Sequence, residues 1–210
     1  MNLEEKLQSG LGALGLALSE DARTKLLAHV ELVEKWNRVY NLTAVRDREQ
    51  MVAHHVLDSI AVSPHISGPT LLDVGSGAGF PGIPLAIARP DMSVTLLEAN
   101  HKKSAFLKQA VIELGLANAQ VVNERVEAWD RAASYDVVIS RAFSDLGEFV
   151  SLAGRLCAER GVLAAMKGVY PFEELSHVQL PYKTKSVVPV TVPGLGAERH
   201  LVLIERQATS

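Results

Sequence analysis

The segment Asp73-Val74-Gly75-Ser76-Gly77-Ala78-Gly79-Phe80-Pro81-Gly82 follows the apolar pair Leu71-Leu72, and the acidic Glu98 closes the next apolar run, Ser93 to Leu97. Three glycines at alternate positions let a backbone turn sharply after a strand and bare amides that a Cβ would shield. A dinucleotide loop spaces its glycines as G-x-G-x-x-G, the last easing helix against strand while the helix N-terminus faces a pyrophosphate. Here that last position is Phe80, and the glycine comes one residue early, at Gly79. A bulky ring stands where a pyrophosphate needs bare backbone, whereas a ligand with an adenosine and an amino acid but no phosphate can use such a wall. The loop therefore points to S-adenosyl-L-methionine as cofactor, contacted by Gly75, Gly77, Gly79 and Phe80. Glu98, at the carboxyl end of the second strand, is placed to accept hydrogen bonds from ribose hydroxyls. Pro81 is expected in the first turn of the following helix, where a missing N–H costs nothing.

Other residues qualify the chemistry. After a third strand come Asn123-Glu124-Arg125-Val126-Glu127, where the Val126 amide and the Glu127 carboxylate could read an adenine edge; a solvated helix start is the plainer alternative. The fourth strand ends Ser140-Arg141-Ala142-Phe143, the place where the acceptor atom of a methyl group is chosen. Methylation of an exocyclic amine calls for an Asn/Asp-Pro-Pro-aromatic turn, which this tip lacks. Methylation of pyrimidine C5 calls for a cysteine nucleophile there; Cys157, the single cysteine, lies elsewhere and reads as buried on the apolar side of a helix. A target that is already nucleophilic, such as guanine N7, remains, and it needs mainly alignment. Arg141 could hold a base edge or a phosphate, pack against the cofactor, or form an ion pair. Lys102, Lys103 and Lys167 are candidate phosphate contacts, the first two at a helix N-terminus where cations are unfavourable. Adjacent His54 and His55 point in different directions on a helix, which argues against a zinc pair; His55 with Asp58 and Ser59 reads as a hydrogen-bonded dock or a substrate contact.

These residues need an α/β frame. Leu26, Val30, Val33 and Tyr40 repeat at helical spacing beside Trp36, with Ser19 as N-cap, and a further helix is expected over 49–60. Pro64, Ser67, Gly68 and Pro69 mark the joint between a helical extension, 1–66, and a cofactor domain, 67–210. Strands are expected near Leu71 and at 93–98, 118–123, 135–140 and 161–166, with helices from Pro81, at 101–115 and at 145–157: a mostly parallel doubly wound sheet. The runs 186–192 and 200–204, joined through Pro193-Gly194-Leu195-Gly196, should add an antiparallel hairpin. The 210 residues, 48% of them apolar, suffice for a full core. No stretch approaches the roughly 18 apolar residues of a membrane span, and the N-terminus lacks the pattern of a signal peptide, so a cytoplasmic protein is expected. A net charge of −3 argues against polyanion binding by the whole surface, and any nucleic acid must meet a local patch.

Tyr40-Asn41-Leu42-Thr43, His55-Val56-Leu57-Asp58-Ser59, the glycine segment continued through Ile83-Pro84-Leu85, Ser140-Arg141-Ala142-Phe143, Lys167-Gly168 and Glu198-Arg199-His200-Leu201 together resemble the RsmG (GidB) family. That resemblance implies a class I S-adenosylmethionine-dependent methyltransferase fold, Rossmann-like, with an N-terminal helical extension. It implies methyl transfer to guanine N7 in 16S ribosomal RNA near the decoding centre, in the small subunit or its precursor; a monomer without metal is expected. It further implies cofactor contacts from Gly75, Phe80, Val126, Glu127 and Arg141, with Glu98 at the ribose, and RNA or reaction-centre contacts from Lys102, Lys167 and Asn41. Competing readings are a nicotinamide-dependent dehydrogenase, disfavoured by Phe80, a non-catalytic S-adenosylmethionine-binding regulator, and a small-molecule methyltransferase.

Overall fold

The computed structural model describes residues 2–130 and 134–207; the ends of the two expected units at residues 1 and 208–210, and the stretch 131–133, lie outside them. Apolar runs bounded by turns form strands β1 (Thr70–Val74), β2 (Ser93–Leu97), β3 (Ala119–Val122), β4 (Tyr135–Ser140), β5 (Cys157–Lys167), β6 (Tyr182–Pro189) and β7 (His200–Arg206). They make one sheet in the order β3-β2-β1-β4-β5-β7-β6. β1 to β5 pair in parallel, and β7 runs antiparallel to both β5 and β6. The strand order reverses between β1 and β4, the position at which open sheets of this kind bind ligands beyond their carboxyl ends.

Alternation along each strand divides the core. Leu71, Leu96, Val137 and Ile139 belong to one apolar cluster, and Leu72, Val74, Leu97 and Val138 to the other. The first cluster is covered by α1 (Leu3–Ala13), α2 (Glu20–Tyr40), α5 (Gly82–Ala88) and α6 (His101–Glu113), and by a continuous helical stretch: α3 (Arg48–Met51), a π-helical segment (Val52–Leu57) and α4 (Asp58–Ile60). α7 (Leu146–Ala153) lies against the second. Leu7, Leu26, Val30, Val56 and Ile60 are fully buried in the same cluster as the strand residues, so the N-terminal helices complete one layer of the sheet's packing.

Several element boundaries depart from expectation. α5 starts at Gly82, with Pro81 as its N-cap after a cis Phe80-Pro81 bond, because Asp73 accepts the Gly82 N–H at 3.0 Å and sets the first turn there. Cys157 opens β5 rather than lying on a helix, since α7 gives way to a 3-10 turn at Gly154–Leu156; it is buried as expected. α6 stops at Glu113, where Gly115 at φ 60° lets Leu116 N–H return to the Val111 carbonyl. β6 covers 182–189 rather than 186–192, an edge strand whose outward Lys183 and Lys185 mask its start in the sequence.

Candidate functional site

Register brings the chemistry to one edge. Val74 pairs with Leu97 and Asp73 with Ile139, so the chain leaves β1, β2 and β4 at one level, at Gly75, Glu98 and Arg141. Gly75, Gly77 and Gly79 all have positive φ (74°, 58° and 87°), a conformation that side chains resist. The loop is anchored from beneath. Gly75 and Ser76 N–H groups donate to the Leu97 carbonyl, and the Gly77 N–H donates to Glu98 Oε2 at 2.8 Å. Glu98 accepts the Asn100 N–H on its other oxygen, also at 2.8 Å, and is buried. Asp73 is fully buried, its Oδ1 has no hydrogen-bond partner, and burial pushes its pKa up to about 7. The Glu98 carboxylate at the glycine loop suits a ligand carrying positive charge and opposes a pyrophosphate.

A cavity of about 160 Å³ lies between this loop and Leu42-Thr43, lined also by Phe80, Arg141 and Ala142. Phe80 is buried between two imidazoles, with ring centroids 4.6 Å from His29 and 4.7 Å from His55, and the Arg141 guanidinium stands 5.7 Å from its centroid. His29, on α2, places Nε2 2.9 Å from the Ala78 carbonyl oxygen, and complete burial lowers its pKa to about 4. A neutral ring donating from Nε2 fits both facts, so α2 pins the glycine loop. His55 is lowered to about 3 by burial and by the Arg141 charge. Its Nδ1 sits 2.9 Å from the His54 carbonyl oxygen and its Nε2 2.7 Å from Thr43 Oγ1, which also accepts the Val45 N–H. The consistent assignment is Nδ1–H donating to the carbonyl and Nε2 accepting from the hydroxyl.

Arg141 separates this cavity from a second of about 330 Å³, lined by His54, His55, Asp58, Lys167 and Arg199 among others. Asp58, almost fully buried, receives Arg141 Nη1 on Oδ2 at 3.2 Å and Arg199 Nε on Oδ1 at 2.9 Å. Arg141 Nη1 also donates to the His54 carbonyl at 3.3 Å. Lys167 donates to the Phe143 carbonyl at 3.1 Å, to the Ser144 carbonyl at 2.9 Å and to Glu174 at 2.6 Å. Its three donors are taken, so it braces the loop after β4 and has none left for a phosphate.

The remaining expected residues lie farther along the same edge or off it. Val126 is buried against the second core cluster, with its carbonyl accepting from Arg155 at 2.7 Å, and Glu127 is exposed. Lys102 is exposed and Lys103 half-buried, and Asn100 Oδ1 accepts both their backbone N–H groups. Asn41 is exposed as the left-handed C-cap of α2 (φ 50°), one residue before the cavity lining begins. Cys157 sits at the opposite end of the sheet with its thiol pushed up to about 12 by burial. The sequence reading assigned no role to His29, Thr43, Asn100 or Arg199: His29, Thr43 and Arg199 act through contacts with distant segments, whereas Asn100 is a local N-cap that its residue type before a helix could have signalled. Among the described residues, no three His, Cys, Asp or Glu side chains cluster as a metal site, and no helix is long and apolar enough to cross a membrane.

A methyltransferase of Aquifex aeolicus described as SAM dependent superposes with a TM-score of 0.59 at 18% identity, covering 71% of this chain and 90% of that one, which shows a shared fold. The sheet, its antiparallel hairpin and this likeness define a class I, Rossmann-like methyltransferase fold. The ribosomal RNA small subunit methyltransferase G of Laribacter hongkongensis is 58% identical over 202 residues, covering 96% of this chain and 98% of its own. The protein of that name from Nitrosospira multiformis is 53% identical, covering 98% and 99%. The family model described as rRNA small subunit methyltransferase G matches residues 22–202, and the chain belongs to that family.

Proposed function

We propose that the protein transfers the methyl group of S-adenosyl-L-methionine to N7 of a guanine in 16S ribosomal RNA, acting as a cytoplasmic monomer on the small subunit or its precursor. The observation that carries this reading is Arg141, fixed between a cavity under the glycine loop and a second cavity under the C-terminal hairpin. The first opens on the glycine loop, where the methionine end of the cofactor would lie, and the second suits the base. In this reading Gly75, Gly77, Gly79, Phe80 and Arg141 hold the methionine end, and Glu98, with lone pairs beyond those given to Gly77 and Asn100, takes the ribose. Val126 and Glu127 flank the adenine, and Lys102, Lys103 and Asn41 face RNA.

When bound, the cofactor supplies an electrophilic methyl carbon on a sulfonium centre. Guanine N7 offers a lone pair and loses no proton, so the chain needs no general base. His55, which lines the second cavity together with His54, is neutral with both nitrogens engaged. What the residues supply is placement. Arg141 is held by Asp58 and the His54 carbonyl, and its remaining donors suit an acceptor such as guanine O6 or a phosphate. Methylation leaves the purine cationic, and Asp58 and Glu174 offset part of the charge of Arg141, Arg199 and Lys167 around it. A cysteine route to a pyrimidine is disfavoured, because Cys157 is buried at the far end of the sheet.

The deciding experiment offers labelled S-adenosylmethionine with small subunits lacking the modification, or with their protein-free RNA, and identifies the product nucleoside by mass. 7-Methylguanosine is expected; a different methylated nucleoside, or none, would overturn the assignment.

A further inference from the structure

Beyond Lys167 the chain turns apolar side chains outward: Val169 is 74% and Phe172 78% exposed. They belong to a group. The rings of Tyr170 and Phe172 lie 4.3 Å apart between centroids, tilted by 42°, and Tyr170 meets His200 edge-on at 5.4 Å. His200 Nδ1 lies 2.9 Å from the Gly168 carbonyl oxygen, which ties the segment to the start of β7. The three rings line a groove of about 780 Å³ on the hairpin side, within the range of roughly 300–1,000 Å³ typical of ligand pockets. Arg199 lines both this groove and the cavity beside Arg141.

An exposed phenylalanine ring packed on a half-buried tyrosine, beside a guanidinium, is the chemistry that stacks unpaired bases, because every base has a π-face that aromatic rings and guanidinium groups pack against. We propose that Tyr170, Phe172 and His200 form a platform on which an unpaired nucleobase next to the methylated guanine stacks. The inference rests on the RNA methyltransferase reading, and its occupant follows from three features. The groove adjoins the proposed base cavity, since Arg199 lines both, so a strand with its target base in one passes beside the other. Its lining includes the rings of Tyr170, Phe172 and His200. Its rim also carries Glu198, which repels a phosphate and favours a base face over the backbone.

The test uses the full-length protein and small subunits reassembled on RNA carrying 2-aminopurine in turn at nucleotides flanking the target guanine. Phe172→Ala should raise KM for subunits roughly ten-fold with kcat within about two-fold, and Phe172→Trp should restore it. Binding of wild type and Phe172→Trp should dim 2-aminopurine at one flanking position, and Phe172→Ala should not. A wild type that methylates while Phe172→Ala leaves KM unmoved removes the platform alone. A raised KM without dimming at any flanking nucleotide means that Phe172 docks on a ribosomal protein, which also overturns the proposal. A wild type that moves no methyl group removes the functional reading and the platform with it.

Discussion

Asp58 carries two guanidinium groups on its two oxygens, and the geometry makes it the positioning residue of the site. Removing one member of a buried ion pair costs about 3–5 kcal/mol, because the survivors keep their desolvation without their partner. The Arg141 and Arg199 side chains are 30% and 25% exposed, so water recovers part of that loss, and Asp58→Ala should cost roughly 2–3 kcal/mol. For a chain of this size that corresponds to a fall in Tm of roughly 5–10 °C, read by thermal unfolding. Methyl transfer measured well below the new Tm should fall further than stability accounts for, since Arg141 is released. An unchanged Tm would show that the pair is not closed in solution. Arg141→Ala separates the two effects: the fold should survive, while cofactor affinity or methyl transfer drops at least ten-fold, and wild-type turnover would remove Arg141 from the mechanism. The sequence displays Asp58 beside His55 and Ser59, which suggests a local dock. Its partners lie 83 and 141 positions away, beyond what any spacing rule can see.

The glycine loop, β1 and β2 were legible as elements because their cues are local: apolar runs, glycines where φ must be positive, an acid at a strand end. The helix that presses on that loop was legible only as a helix. Its His29 is fully buried with Nε2 on the Ala78 carbonyl, a contact spanning 49 positions, and neither its burial nor its partner leaves a mark on local pattern. The π-helical segment over Val52–Leu57 was likewise hidden, since apolar spacing there fits an ordinary helix, yet it is where the His54 carbonyl accepts Arg141. His29 gives the α2 contact a pH signature. Its native pKa of about 4 lies below the ordinary value of 6.5, so the unfolded chain takes up a proton first as pH falls. Stability from this group is therefore present above about pH 6.5 and is lost toward pH 4. His29→Gln keeps a donor for Ala78 and cannot titrate. Between pH 7 and 5 the wild type should lose roughly 2 kcal/mol more than this variant in denaturant unfolding. The comparison is needed because Asp73, raised to about 7, gains stability over the same interval in both proteins. Parallel pH profiles would mean that His29 is protonated or solvated in the native state.

At the scale of the whole molecule, a chain of net charge −3 must meet a polyanion through a small part of its surface. Much of the positive charge near the site is spent internally: Arg141 and Arg199 share Asp58, and Lys167 is engaged with Glu174 and two carbonyls. Lys102 and Lys103 differ. They lie in the first turn of α6, one turn past Glu98, at a helix end where cations are disfavoured; Asn100 takes their backbone N–H groups, and among the described residues their side chains have no hydrogen-bond or ion-pair partner. A phosphate there would be stabilised by both the lysines and the positive end of the helix. Each phosphate contact contributes about 0.7 to the slope of log affinity against log salt for single-stranded RNA. The double variant Lys102→Ala/Lys103→Ala should therefore bind small subunits more weakly at low salt and flatten that slope by roughly 1.4, with affinity for S-adenosylmethionine unchanged. Because the two lysines sit at a helix start where alanine is tolerated, the fold should be kept or slightly stabilised, so lost affinity cannot be blamed on unfolding. A slope equal to that of wild type would return both lysines to solvent and leave the phosphate contacts to other parts of the surface.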